Sequence, residues 1–267
     1  FRRIMEACAE IGCHELWVAT ANYQTAYTGR FRYDRFRTDV SWAEQLEASE
    51  RFLKTLAPIA RDLGIHMNME THEEITSFEV VRMVEAVGPD VMGVVFDTAN
   101  VLQRAEHPVR AAQRVAPYVR QTHLKDAHLE MTDEGVDFQL RACGRGVVDF
   151  ASILPILVSA NPNLNLTIEN AQPDEERSVP GLIMSMQVFD PDWLAGHPDL
   201  TTEEFAAYMR LVRDQGLRVE RGQVVGRASY SADAFDVEAA TAALVESTHY
   251  MRALCDEMGI SRARGAA

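Results

Sequence analysis

Three carboxylates and one imidazole stand at or near the ends of apolar, strand-like runs. Glu70 lies in HMNMET, Asp97 in VMGVVFDTAN, His123 in VRQTHLKD and Glu169 in LNLTIEN. A strand buried in a sheet has little reason to finish in an ionisable group, because burying a charge without a partner is costly. Four successive strands doing so predict one shared pocket. Two Glu, one Asp and one His make a donor set for a single divalent cation. Manganese is the first expectation, with magnesium, cobalt and zinc as alternatives. With two substrate oxygens completing its coordination, such an ion polarises a hydroxy-carbonyl unit as a Lewis acid. Each residue also has a plainer reading. Glu70 could serve the next helix N-terminus, and Asp97 could build an Asx turn before Thr98-Ala99-Asn100. His123 could be a satisfied core histidine, and Glu169 a rim ion-pair partner. The coincidence of all four favours the ion.

Their spacing points to the elements that carry them. Successive members are 27, 26 and 46 residues apart. The first two intervals match one strand-plus-helix unit; the third matches one unit with an insertion. The four groups therefore belong on neighbouring parallel strands at one level, and in a barrel the C-terminal strand ends face the active site. A helix over residues 1–11 ends at Gly12, and a strand covers 15–20. A long polar, aromatic loop follows. A helix runs from a cap at Asp39 to Gly64, with Pro58 inside it to kink it. A strand over 65–71 precedes a helix opened by the Thr76/Glu79 capping box and closed at Gly88. Then come a strand over 91–97, a helix over 107–116 and a strand over 118–125. Strands alternating with helices imply βαβ units and a parallel sheet.

The alternation breaks at residues 126–143, which read as a hairpin excursion turning at Asp133-Glu134-Gly135. A helix from Asp149 to about Ser159 and a strand over 164–170 resume the pattern. A long loop leads to a Thr201/Glu204 capping box and a helix ending near Gly216. A C-terminal helical extension covers 236–258, with Val237, Leu244, Met251 and Met258 on one stripe. Residues 1–267 thus read as a single α/β domain.

Composition narrows the function. The chain has 267 residues, 47% of them hydrophobic, enough for a full core. A net charge of −14 argues against a nucleic-acid partner. No apolar run approaches the ~20 residues of a membrane span, and no signal peptide is visible. Cys8, Cys13, Cys143 and Cys255 show no zinc-finger spacing and read as buried thiols of a reducing compartment, so a cytoplasmic location is expected.

At these residues the chain resembles the xylose isomerase-like TIM barrel family, the sugar (phosphate) isomerase/epimerase group. The ordered elements are the strand-end Glu70, then FDTAN, then His123-Leu124-Lys125-Asp126, then Gly144-Arg145-Gly146-Val147-Val148-Asp149, then IEN at Glu169. None is specific alone; the ordered set is. The resemblance implies an α/β fold of the (β/α)8 TIM barrel type, with Glu70, Asp97, His123 and Glu169 as ligands of one divalent ion. It also implies that these come from the last four of eight strands, so a fragment lacking the first three strands is expected. The glycine pair has a plain alternative: a tight turn before a helix capped by Asp149.

The implied activity is a divalent-metal-dependent isomerase or epimerase acting on a sugar or keto-sugar through an enediolate. A lyase or decarboxylase acting on an oxidised (3-keto) sugar or sugar acid is the alternative. Glu70 and Glu169 would be the catalytic proton carriers. His72, Lys125, Arg145, Trp193 and His197 are candidate substrate-binding residues, and Tyr23 and Phe31 could help wall the sugar. Lys125 has a competing role, pairing with Asp126, which is favoured. The segment FDPDWLAGHPDL resembles members acting on keto-sugars more than on phosphosugars. The expected partner is a small sugar, with a homo-oligomer or partner subunit compatible, and neither nucleic acid nor membrane. Two rivals stand: an apurinic-site endonuclease, which needs more histidines and a basic face, and a barrel module without chemistry, which would bind no metal.

Overall fold

The computed structural model describes residues 1–20, 35, 39–169, 183–230 and 236–260. Tyr23, Phe31 and Asn170 lie outside the described residues. Helix α1 (Arg2–Glu10) leads into β1 (Glu15–Val18), α2 (Trp42–Leu63), β2 (His66–Glu70), α3 (Ser77–Val87) and β3 (Met92–Asp97). Then come a 3-10 turn (Asn100–Arg104), α4 (Pro108–Val115) and β4 (Val119–His123). The four strands form a parallel sheet in the order β1-β2-β3-β4. Every residue of β2 and β3 is buried, as expected of a parallel sheet covered on both faces.

Capping chemistry sets the helix starts. Thr76 and Glu79 form the expected reciprocal box at α3. The cap of α2 is Ser41, not Asp39. Ser41 and Glu44 also form a complete box, which satisfies two backbone donors where a lone Asp would satisfy one. The helix continues through Pro58 and stops at Gly64, whose φ is 63°.

After β4 the chain turns into an antiparallel sheet of β5 (Asp126–Met131), β6 (Val136–Arg141) and β7 (Ile183–Met186). The turn sits at the expected Asp133-Glu134-Gly135. The third strand falls in a stretch read from sequence as loop. Helix α5 (Phe150–Ala160) is capped by Asp149. The expected strand over 164–170 is reduced to one bridge, Leu124 to Ile168. The Thr122 hydroxyl explains this. It donates to the Asn165 carbonyl and accepts from the Thr167 amide, taking positions that a strand ladder would use.

Short α6 (Pro191–Ala195) and α7 (Thr202–Glu220) follow. Thr201 caps α7, but the helix passes through Gly216 rather than ending there; a Cβ at that position would meet nothing. Helices α8 (Arg227–Tyr230) and α9 (Val237–Glu257, capped by Asp236) complete the described chain. All four cysteines are free; Cys143 and Cys255 are buried, Cys8 is half-buried and Cys13 is exposed. Cys13 departs from the buried expectation because it lies in the tight turn between α1 and β1. No described helix is long and apolar enough to cross a membrane.

Candidate metal centre

Glu70, Asp97 and His123 are the last residues of β2, β3 and β4, and Asp97 pairs directly with His123. Glu169 follows the bridge residue Ile168. One ligand atom from each lies within 4.8 Å of all the others. His123 Nδ1 is 2.8 Å from Glu70 Oε1 and 3.0 Å from Glu169 Oε2. Lys125 Nζ is 3.0 Å from Asp97 Oδ2 and 2.9 Å from Glu169 Oε1. Period-two alternation puts Lys125 on the face of His123.

The electrostatics follow from crowding. Burial disfavours the His123 charge, but hydrogen bonds to Glu169 and Glu70 outweigh it and push the imidazole up to about 10. Burial opposes the Glu169 charge too, yet His123 and Lys125 pull it down to about 2. Asp97 lies deepest, and burial pushes it up to about 6 despite Lys125. Three like charges are thus held together by two cationic side chains.

The donor set fits a divalent ion. Ligand atoms on opposite sides of a cation, at bonds of about 2.1 Å, lie about 4.2 Å apart. A group spanning 4.8 Å needs only small side-chain closure to reach that distance. Glu70, Asp97, His123 and Glu169 would hold the ion. A cavity of about 340 Å³ lies over the cluster, lined also by Trp17, His72, Lys125, Thr167 and Ile168.

The other sequence candidates divide. His72 lines the cavity, with its Nδ1 2.7 Å from Glu74 Oε2. Lys125 also lines it, and its favoured pairing with Asp126 does not occur. Asp126 instead accepts four backbone N–H bonds, from Ala127, Gly144, Gly146 and Val148. That leaves Lys125 to Asp97 and Glu169. Arg145 pairs with Glu246 of α9 and does not line the cavity. Trp193 and His197 stack on each other at 3.7 Å in a buried pair away from the cavity lining. There His197 Nδ1 bonds to the Trp193 carbonyl and Nε2 lies 3.3 Å from Arg104. The packing of α6 turns both rings inward rather than over a ligand.

Trp17 was missed. Its indole Nε1 donates to Glu70 Oε2 at 2.8 Å, and its ring lies 6.0 Å from the His123 ring. The available signal was an aromatic residue in the strand preceding Glu70, but nothing in the sequence fixed the register. The structure pairs Trp17 with Asn68, on the same strand face as Glu70.

The chain is 24% identical over 123 residues to a 3-oxo-isoapionate decarboxylase of Pectobacterium atrosepticum, covering 45% of this chain and 45% of that protein. It is 26% identical over 146 residues to an inosose dehydratase of Geobacillus kaustophilus, covering 51% and 47%. The chain therefore spans less than half the length of these curated relatives. A Mycobacterium smegmatis xylose isomerase-like TIM barrel protein, crystallised in complex with magnesium, superposes with a TM-score of 0.54 at 14% identity. That match covers 79% of this chain and 66% of the other. Residues 1–184 match the family model of the xylose isomerase-like TIM barrel. On that match, the chain belongs to the xylose isomerase-like TIM barrel family.

Proposed function

We propose that this protein is a divalent-metal-dependent enzyme that isomerises or epimerises a non-phosphorylated sugar or keto-sugar through an enediolate. The observation that carries this is the convergence of four ligand atoms within 4.8 Å beneath a cavity of about 340 Å³. Manganese is the preferred ion. When bound, it supplies Lewis-acid charge at the substrate carbonyl oxygen.

The chain supplies the proton chemistry. Glu70 and Glu169 both reach His123, so their carboxylates flank one small volume. One takes the proton from the carbon beside the carbonyl. The C–H electron pair becomes the new C=C bond, and the carbonyl π pair moves onto oxygen. Lys125 holds positive charge next to that volume. The other carboxyl group, having taken up a proton from solvent, gives it back to carbon, on the opposite face for epimerisation or at the neighbouring carbon for isomerisation. His72 faces the cavity as a hydroxyl ligand, held by Glu74.

A second reading is supported by the dehydratase and decarboxylase relatives. The same enediolate forms if a C–C bond to a departing carboxylate breaks. It can also expel a hydroxide from the next carbon. These outcomes share the metal centre and differ in the substrate.

The test is calorimetric Mn²⁺ titration of EDTA-treated protein, wild type against Glu169→Gln, with a ketohexose in D₂O followed by NMR. Binding at least tenfold weaker in the variant, with deuterium appearing beside the carbonyl in wild type alone, is expected. Equal Mn²⁺ affinity in the two proteins would end the ligand assignment. Tight metal binding without exchange across ketoses and keto-acids would end the enediolate reading.

A further inference from the structure

Strand β1 presents its two faces to different surroundings. Leu16 and Val18 point toward α1 and α2, where they share an apolar cavity with Met67 and Met69 of β2. Trp17, between them, points the other way. Its pairing with Asn68 puts it on the face of Glu70, and it lines the cavity above the metal centre.

Tryptophan is highly buried on average. Of the three in this chain, Trp193 is buried and Trp42 packs half-buried against the core. Trp17 is 54% exposed, although it lies inside a strand. Its orientation is nevertheless fixed. The Nε1–H donates to Glu70 Oε2 at 2.8 Å, and an N–H in the ring plane holds one edge while leaving the π faces free. The His123 ring lies 6.0 Å away, inclined at 59°, so it is not stacked flat on the indole. Apart from Ile168, the other lining residues are charged or hydrogen-bonding. The cavity thus has one aromatic wall among polar ones.

That combination selects a class of ligand. An aromatic face carries partial negative charge, and hydrogens on oxygen-bearing carbons carry partial positive charge. A six-membered sugar ring gathers axial C–H bonds on its faces and sends equatorial hydroxyls to its rim. It can lay one face on Trp17 while the rim meets His72 and Lys125. An open-chain sugar has no fixed face, and it loses the freedom of several rotating bonds on binding. The cavity, at about 340 Å³, lies near the lower end of the range for small-molecule sites and has room for a single ring. A ketose closed as its hemiketal has no carbonyl, so a ring that reacts must carry its ketone on another ring carbon.

We propose that Trp17 is a stacking platform that selects a closed monosaccharide ring, with its ketone on a ring carbon, over an open-chain ketose. This role rests on the metal centre being the sugar site proposed above. The probes are methyl β-D-glucopyranoside, whose ring cannot open, and D-glucitol, its open-chain counterpart. Neither has a carbonyl, so binding is read without turnover. Each is titrated into the full chain at saturating Mg²⁺ and followed by saturation-transfer NMR. The glucoside is expected to bind at least fivefold tighter than glucitol, with transfer strongest to the axial hydrogens of one ring face.

Trp17→Phe and Trp17→Leu both delete the indole N–H, so they share any loss at Glu70, and saturating Mg²⁺ removes it from the comparison. Phe keeps a π face and should keep the preference for the ring. Leu should bind the glucoside at least fivefold more weakly than Phe does, with glucitol equal in the two. Equal affinity of wild type for ring and chain, no glucoside binding, or equal glucoside binding by the two variants would overturn the proposal. Deuterium exchange into a ketohexose without a ring preference would remove the role of Trp17 alone. A ring preference that needs Trp17, without exchange into any ketone, would support the platform and remove the enediolate reaction alone.

Discussion

Asp97 gives its two carboxylate oxygens different partners. Oδ1 accepts the amides of Ala99 and Asn100, at 2.9 and 2.8 Å, and so builds the turn that ends β3. Oδ2 faces Lys125 in the cluster. The Asx-turn and ligand readings of this residue are therefore compatible, because a carboxylate has two oxygens. Glu70 is divided in the same way, with Oε2 taken by Trp17 and Oε1 facing His123. Groups that fix a ligand's orientation commonly change metal affinity by 10–100-fold. Trp17→Phe keeps the ring and deletes the N–H. It should weaken Mn²⁺ binding about tenfold or more, with an unchanged circular dichroism spectrum. Unaltered Mn²⁺ affinity would mean that Glu70 needs no such support.

At the scale of elements, the Asp126 carboxylate ties the hairpin to the loop before α5. Both glycines of the GxG run, Gly144 and Gly146, donate to it. Gly144 sits at φ 87°, where other residues are strained. At Gly146 a Cβ would lie 2.2 Å from the Ala127 carbonyl and from Asp126 Oδ1. Gly146→Ala therefore forces the backbone apart and should lower stability by about 2–4 kcal/mol in urea denaturation. A loss under ~0.5 kcal/mol would show that the loop relaxes freely. The sequence offered two readings of this motif, a turn or a substrate contact. The turn holds, and the reason is the Asp of the preceding HLKD element, which no local pattern links to glycines about twenty residues away.

Over the whole molecule, Glu106 joins three helices. It accepts from the Ser77 amide at the start of α3 and lies 3.0 Å from Arg114 of α4. Arg114 also reaches Glu204 of α7 at 2.8 Å. Burial pushes the Glu106 carboxyl up to about 7, despite Ser77 and Arg114. The unfolded chain has the ordinary value near 4.3. Between these values the folded state binds the extra proton, so stability falls as pH rises. The contribution is complete below about pH 4 and lost above about pH 7, by up to ~3 kcal/mol. Glu106→Gln should flatten the fall in Tm between pH 5 and 8. An identical slope in the variant would assign the dependence to other groups.

The sequence by itself determined the order of the βα units as far as β4, the caps at Thr76, Asp149 and Thr201, and the strand-end positions of Glu70, Asp97 and His123. These depend on local periodicity and on side chains within a few residues of their targets. It did not determine which charge meets which. Lys125 goes to Asp97 and Glu169 rather than to its neighbour Asp126, and Arg145 leaves the site for Glu246. Trp193 and His197 become a buried stack, and Trp17 becomes the hydrogen-bond partner of Glu70. Those outcomes depend on strand register and on burial, which set distances between residues as far apart in the chain as Arg145 and Glu246. Only the folded sheet, which aligns Glu70, Asp97 and His123 at one level with Glu169 beside them, brings the four charges within reach of one cation.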